Sequence, residues 1–239
     1  SKNYLELNKV DFQVGGVTKI KNLSLKIKNK GEIICLLGPS GIGKTTILRS
    51  IAGLEKINKG QIKLKSKILS STSTHIEPEF RNISLSFQEN ALFPHYTIKK
   101  NIYFGNNRNK ENGKKKIDPK KIIKILNIEK ILNKYPHQIS AGEAQRASLA
   151  RSLVSNPDLL LLGEPLSNID ENFKEEIQVK LKKILKEFKI TTLIVTHDSY
   201  EAFYLGDKCG ILLDKTLKQY DEPYNCLLYT SPSPRDLYR

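Results

Sequence analysis

A chain of 239 residues, 38% of them hydrophobic, is long enough to bury one α/β core with an inserted subdomain, which excludes a short peptide or a disordered tail. No aliphatic run approaches the roughly 20 residues that cross a bilayer, and no signal-peptide pattern opens the chain, so a soluble protein is expected. The net charge of +15 would point to nucleic acid, but only seven of the 40 basic residues are Arg, and Lys, Asn and Ile recur as in an AT-rich genome; no nucleic-acid partner is expected.

Alternation at Leu23, Leu25 and Ile27 predicts a half-buried strand, and the apolar run 33–37 predicts a strand buried on both faces. That run enters a Gly-rich turn and then a helix over 45–52. Further apolar runs at 83–87, 159–162, 193–195 and 211–213 read as buried strands, together a largely parallel sheet. The span 89–155 is expected to be mostly helical: Asp118 before Pro119 is a helix start, and Ile122, Ile123, Ile125 and Leu126 form an apolar face. The densest basic stretch, 108–134, holds ten Lys or Arg against three acids, and any contact with membrane headgroups would fall there. Over 171–188, Phe173, Ile177, Leu181, Ile184, Leu185 and Phe188 keep helical spacing, with Glu176 and Lys180 an i,i+4 pair on the wet side.

Cys35, Cys209 and Cys226 show no metal-ligand spacing, and a reducing compartment fits them. Residues 226–236 read CLLYTSPSPRD, a string that resembles an in-frame translation of a transposase-type sequencing adapter. Residues 226–239 are therefore set aside as an artefact, the native sequence being expected to end near Asn225 with a C-terminal domain missing.

Residues 38–45, GPSGIGKT, fit the P-loop pattern G-x-x-x-x-G-K-[ST] at every specified position. The candidate phosphate cradle is the turn Gly38, Pro39, Ser40, Gly41, Ile42 and Gly43, with Lys44, Thr45 and Thr46 after it. Its glycines let the backbone curl so that N–H groups point inward. Lys44 is expected to reach the β and γ oxygens of a nucleotide and the Thr45 hydroxyl to ligate Mg²⁺, while the following helix N-terminus favours the anion. A chance match is on the order of one in a hundred, and a plain Gly-rich turn leaves Lys44 and Thr45 unexplained.

Residues 139–146, ISAGEAQR, resemble the signature LSGGQ-x-Q-R of the ABC family and are followed by LARSL, as in that family. Ser140 and Glu143 also have capping-box spacing, and both readings hold together, since a capped helix N-terminus binds anions with the same backbone. The resemblance implies that Ser140, Ala141, Gly142 and Glu143 face the γ-phosphate held by another subunit. Gln88, in LSFQEN, matches the Q-loop, implied to touch Mg²⁺ and to couple the nucleotide to a transmembrane partner. Residues 159–165 resemble the Walker B strand, with Glu164 at the position of the carboxylate that polarises the attacking water. Residues 167–170, SNID, match the D-loop, which places Asp170 at a dimer interface, and His197, in VTHD, matches the switch histidine.

The resemblance covers about residues 4–225. It implies an α/β P-loop NTPase fold: a RecA-like core (1–88 and 156–225) with an ABC β-subdomain and an inserted helical subdomain (89–155). It further implies ATP and Mg²⁺, a homodimer or paired ATPase subunit, permease subunits, a periplasmic or extracellular substrate-binding protein reached through them, and a place on the cytoplasmic face of the membrane. The neighbourhoods ALFPHYTIKKNI, YPHQ and EPLSNID look most like ferric-iron importer ATPases, close to those for spermidine/putrescine, molybdate and sulfate.

Three departures qualify this pattern. Gly163 stands where the family has the Walker B Asp, which holds a water of the Mg²⁺ shell; one base change separates the two codons, and a read error is favoured over a degenerate ATPase. Ala141 replaces the first signature Gly, and Glu143 replaces Gln. The aromatic that stacks on adenine is expected near Val14, which has no ring, and Phe12, two residues earlier, is expected to substitute. A chromosome-maintenance or repair ATPase is disfavoured, because the segment between Lys44 and Ser140 lacks sustained heptads.

Overall fold

The computed structural model describes residues 2–87, 92–106 and 117–221. Six strands form the central sheet in the order β10-β9-β3-β8-β7-β6: β3 (Ile33–Leu37), β6 (Ile83–Ser86), β7 (Leu159–Gly163), β8 (Thr192–Thr196), β9 (Lys208–Leu213) and β10 (Thr216–Asp221). All but β10 run parallel. The three at its centre, β3, β7 and β8, are buried at every position, as their unbroken apolar runs require of strands covered on both faces. A second, antiparallel sheet, β2-β1-β4-β5, joins β1 (Leu5–Val14), β2 (Val17–Ile27), β4 (Gln61–Leu64) and β5 (Lys67–Ser70).

Two apolar layers sandwich the central sheet. On one face, α1 (Lys44–Ala52) packs with the antiparallel sheet around Phe12, Ile20, Ile47 and Leu161. On the other lie α2 (Ile98–Phe104), α3 (Pro119–Ile125), α4 (Ala141–Val154), α5 (Glu171–Glu187) and α6 (Ser199–Leu205), closing over Leu160, Leu162 and Ile194. Each of α2 to α6 starts at a Thr, Asp or Ser whose side chain accepts a backbone N–H of its first turn. Helix α1 has no side-chain cap; it starts at Gly43 in the left-handed region, φ 107°. Its first N–H groups are thereby left without a capping side chain from the residue that starts the helix.

Parallel registry decides where the loops converge. Leu37 pairs with Thr196 and Gly163 with Val195, so β3, β8 and β7 end at one level. The segments that follow them, beginning at Gly38, Glu164 and His197, emerge side by side at the carboxyl edge of the sheet, where open α/β folds place ligands.

Candidate functional site

At that edge lies an open pocket of about 430 Å³, lined among others by Ser40, Gly41, Gly43, Lys44, Thr45, Thr46 and Glu164. Gly38 closes the turn onto β8, its N–H donating to the Thr196 carbonyl at 3.1 Å. A side chain at Gly43 would meet Lys19 Cβ at 2.8 Å as well as the strained φ, so this position admits only Gly. Pro39 and Ser40 are exposed, whereas Ile42 packs into the apolar layer beneath and anchors the turn.

Lys44 is the electrostatic centre. It is 6% exposed, and its Nζ donates to the Gly38 carbonyl at 2.6 Å and to Glu164 Oε1 at 2.9 Å. The other carboxylate oxygen accepts from His197 Nδ1 at 3.0 Å and from the Thr196 hydroxyl at 3.3 Å. Burial alone would raise the Glu164 carboxyl, but the bonds from Lys44 and His197 outweigh it and hold the group below its ordinary range. The carboxylate is thus kept ionised and aimed into the pocket, and the His197 ring beside it stays largely exposed. An ionised carboxylate next to an ammonium and a Gly-rich anion cradle can polarise a water against a phosphoryl group.

The residues fit Mg²⁺ in part. That ion keeps several waters and phosphate oxygens and needs one or two protein oxygens; the exposed Thr45 hydroxyl on the pocket wall can supply one. Gln88, the other expected ligand, lies outside the described residues. Gly163 lines the pocket without a carboxylate, and a Cβ there would come within 2.9 Å of Phe87 Cδ1, the movable edge of a ring.

Ser140 caps α4 with both halves of the capping box formed: its hydroxyl accepts from Glu143 N at 3.1 Å, and Glu143 Oε1 accepts from Ser140 N at 3.0 Å. These bonds, the backbone N–H of Ser140 first, hold the Glu143 carboxyl below its usual range despite partial burial. Ser140 and Ala141 face solvent, and neither they nor Gly142 and Glu143 line the pocket of Lys44. Asp170 caps α5 by accepting from Asn172 N at 2.9 Å. One chain therefore assembles the P-loop, Glu164 and His197, and leaves the α4 N-terminus pointing elsewhere.

The matching family model, described as ABC transporter, spans residues 20–167. The chain belongs to the ABC transporter family. It is 40% identical over 215 residues to the Fe(3+) ions import ATP-binding protein FbpC of Fusobacterium nucleatum, covering 90% of this chain and 56% of that one. It is 38% identical over 222 residues to the trehalose/maltose import ATP-binding protein MalK of Thermococcus litoralis, covering 88% and 59%. Its fold matches the dimeric ATP-binding cassette MJ0796, bound to ADP and Pi in a post-hydrolysis state, with a TM-score of 0.78 at 26% identity over 92% of this chain and 98% of that one. The chain spans between 56% and 66% of the length of the curated relatives it matches.

Against the ABC pattern, the structure corrects one expectation. Phe12 cannot stack on a base: it is fully buried in the layer between the sheets. Over Val10 to Gln13 the strand alternates regularly, with Val10 and Phe12 buried and Asp11 and Gln13 half-buried, so Phe12 faces the inner layer; Val14, next on that face, ends the strand 43% exposed. Several residues at or beside the pocket were not singled out from the sequence. Lys19, on β2, and Arg49, on α1, bring two further cations to the wall, and Thr196 brings a hydroxyl to Glu164. Gln145, inside the signature string, reaches Glu164 from α4, its Nε2 donating to the Glu164 carbonyl at 2.8 Å.

Proposed function

We propose that this chain is the ATP-binding and ATP-hydrolysing motor subunit of an ABC importer, working on the cytoplasmic face of the membrane, with ferric iron as the solute. The observation that carries the motor reading is the convergence of Lys44, Glu164 and His197 at the ends of three parallel strands, beside a helix whose first N–H groups have no side-chain cap. An entering nucleotide would take Lys44 with its phosphates. Glu164, released from the ammonium, would become more basic as a water came within its reach, with His197 still orienting it. Thr45 and Gln88 would hold Mg²⁺, which supplies charge neutralisation between the phosphates.

The same reading divides the chain into a core, 1–88 and 156–225, and a helical subdomain, 89–155. It pairs two copies, because the α4 N-terminus, with Ser140 to Glu143, lies outside the pocket of its own Lys44 and needs a second copy's nucleotide. Permease subunits complete the assembly, and through them a substrate-binding protein. A groove of about 570 Å³ between the core and α2, lined by Leu54, Leu85, Phe93 and Phe104, is the seat we assign to a permease segment. Iron rests on the named relatives, and the margin over a sugar importer, 40% against 38% identity, is small.

A second reading, a hydrolysis-impaired regulatory subunit, has Gly163 behind it. Steady-state Mg²⁺-ATPase activity of residues 1–225 separates the two when measured beside Gly163→Asp and beside Gly163→Asp carrying Glu164→Gln. Turnover in the Asp form that vanishes with Glu164→Gln supports the motor. Absence of turnover from all three forms supports the regulatory reading.

A further inference from the structure

Glu164 has a backbone that its side chain does not favour. Its φ is 47°, the left-handed region, which a non-Gly residue keeps only when its surroundings hold it there. The amide is fixed by donation to the Val195 carbonyl at 2.9 Å. The carbonyl accepts from the Ser167 hydroxyl at 3.0 Å and, most closely, from Gln145 Nε2 at 2.8 Å.

Gln145 uses both ends of its amide on this turn. Besides Glu164, Nε2 reaches Ser167 Oγ at 3.3 Å, and Oε1 accepts from Asn168 N at 2.9 Å. The side chain is 2% exposed, so water offers no substitute for these partners. One helical turn earlier, a Cβ at Gly142 would stand 2.6 Å from the Asn168 carbonyl oxygen: the start of α4 lies directly against the same loop. The signature helix and the 164–168 turn are thus bound as one body by backbone proximity and a single buried amide.

From this geometry we infer that Gln145 is a positioning residue: it holds the strained Glu164 turn against the signature helix, and so sets the aim of the catalytic carboxylate. The inference rests on the motor reading above, with Glu164 as the group that polarises water. In a paired molecule the α4 N-terminus meets the nucleotide of the other copy. The Gln145 amide then carries the position of that nucleotide to the Glu164 of its own chain, at the neighbouring site. Lys44 and the P-loop are not attached to Gln145, so nucleotide binding is left to them.

The test uses Gln145→Met, which keeps length and shape without the amide, and Gln145→Glu, which keeps the acceptor for Asn168 N but sets an anion against the Glu164 carbonyl. Both are compared with the parent chain, and with the Gly163→Asp form, by three readouts: Kd for Mg²⁺-ATP, kcat, and hydrogen exchange of the Asn168 amide. For Gln145→Met the expected result is a Kd within about threefold of the parent, a kcat lower by about 10- to 100-fold from misplaced groups, and exchange at Asn168 faster by at least about tenfold. Gln145→Glu should leave Asn168 protected and kcat still low, which assigns the effect to the donor on Glu164. A kcat within about twofold of the parent for Gln145→Met, or unchanged exchange at Asn168, overturns the inference. So does a fall in kcat that comes with an equal weakening of ATP binding, since that is general loss of structure. A parent that binds nucleotide without turnover in either form counts against the motor reading instead, and exchange at Asn168 then decides the tie alone.

Discussion

Glu201, at the start of α6 and within the field of Asp198 and Glu164, shows what its surroundings do to a single group. It is 3% exposed, its Oε1 has no hydrogen-bond partner among the described residues, and burial first, then the neighbouring Asp198, push its carboxyl up to about 8; Lys174 works in the opposite direction. The folded state therefore keeps a proton that the unfolded chain releases near the ordinary value of about 4.3. Between the two values the native state binds more protons, so stability is full below the lower one and falls as pH rises to about 8, by at most about 1.4 kcal/mol per unit. Glu201→Gln, neutral at every pH, should flatten that slope. Urea midpoints at pH 5 should nearly coincide for the two proteins, and at pH 8 the variant should be the more stable by on the order of 3 kcal/mol. A wild-type midpoint that does not fall between pH 5 and 8 would show that Glu201 ionises freely. This residue was not legible in the sequence, nor were Gln145 and Thr196, because residues distant in sequence decide their settings: Lys174 and Glu164 act on Glu201, and Gln145 and Thr196 both reach Glu164. That Lys44, Thr45, Glu164 and His197 come together was legible, because each sits in a short string with local chemistry. Phe12 was misread because it shares a face of β1 with Val14, and the apolar layer covers that face at Val10 and Phe12 and leaves it open only at Val14.

At the scale of elements, the parallel strands were readable as unbroken apolar runs, since a strand covered on both faces has no polar alternation to hide it. The antiparallel sheet was harder to see. β4 and β5 are four residues each, and their inward residues Ile62, Leu64 and Leu69 are too few to establish a period. Beside the apolar layer, a polar tie to the core comes from Arg81, 3% exposed, whose guanidinium donates to the carbonyls of Ile51, Leu69 and Ile76 and to Ser70 Oγ. Burial lowers its pKa to about 10, so it remains charged at neutral pH. One side chain thus satisfies the C-terminal end of α1 and the inner edge of β5 together. Arg81→Ala would strand several buried acceptors, at a cost of about 3–5 kcal/mol. Arg81→Lys, with three donors on a point charge rather than a planar fork, should recover less than half of that. Equilibrium urea unfolding of the three proteins measures both; a loss below about 1 kcal/mol for Arg81→Ala would mean that water replaces the guanidinium.

At the scale of the whole molecule, the net charge of +15 is distributed over a chain that we propose to pair with its own copy. Two such bodies repel, and added salt screens the repulsion over a Debye length of about 10 Å at 0.1 M. The anionic nucleotides between them relieve only part of it, because Lys19, Lys44 and Arg49 already crowd each pocket. ATP-driven pairing of a Glu164→Gln form, which on that proposal does not hydrolyse, should therefore tighten several-fold as salt rises from about 50 to 200 mM. Contact with duplex DNA should do the reverse, weakening by tenfold or more over the same range, as counterion release demands of any unspecific basic surface. Sedimentation velocity with Mg²⁺-ATP and a filter-binding titration, run across one salt series, read the two signs side by side. Opposite slopes identify the basic surface as a solvated one that the pairing reaction must overcome. If DNA binding instead persisted at 200 mM salt, the charge would have a nucleic-acid role that neither the motifs nor the pocket contains.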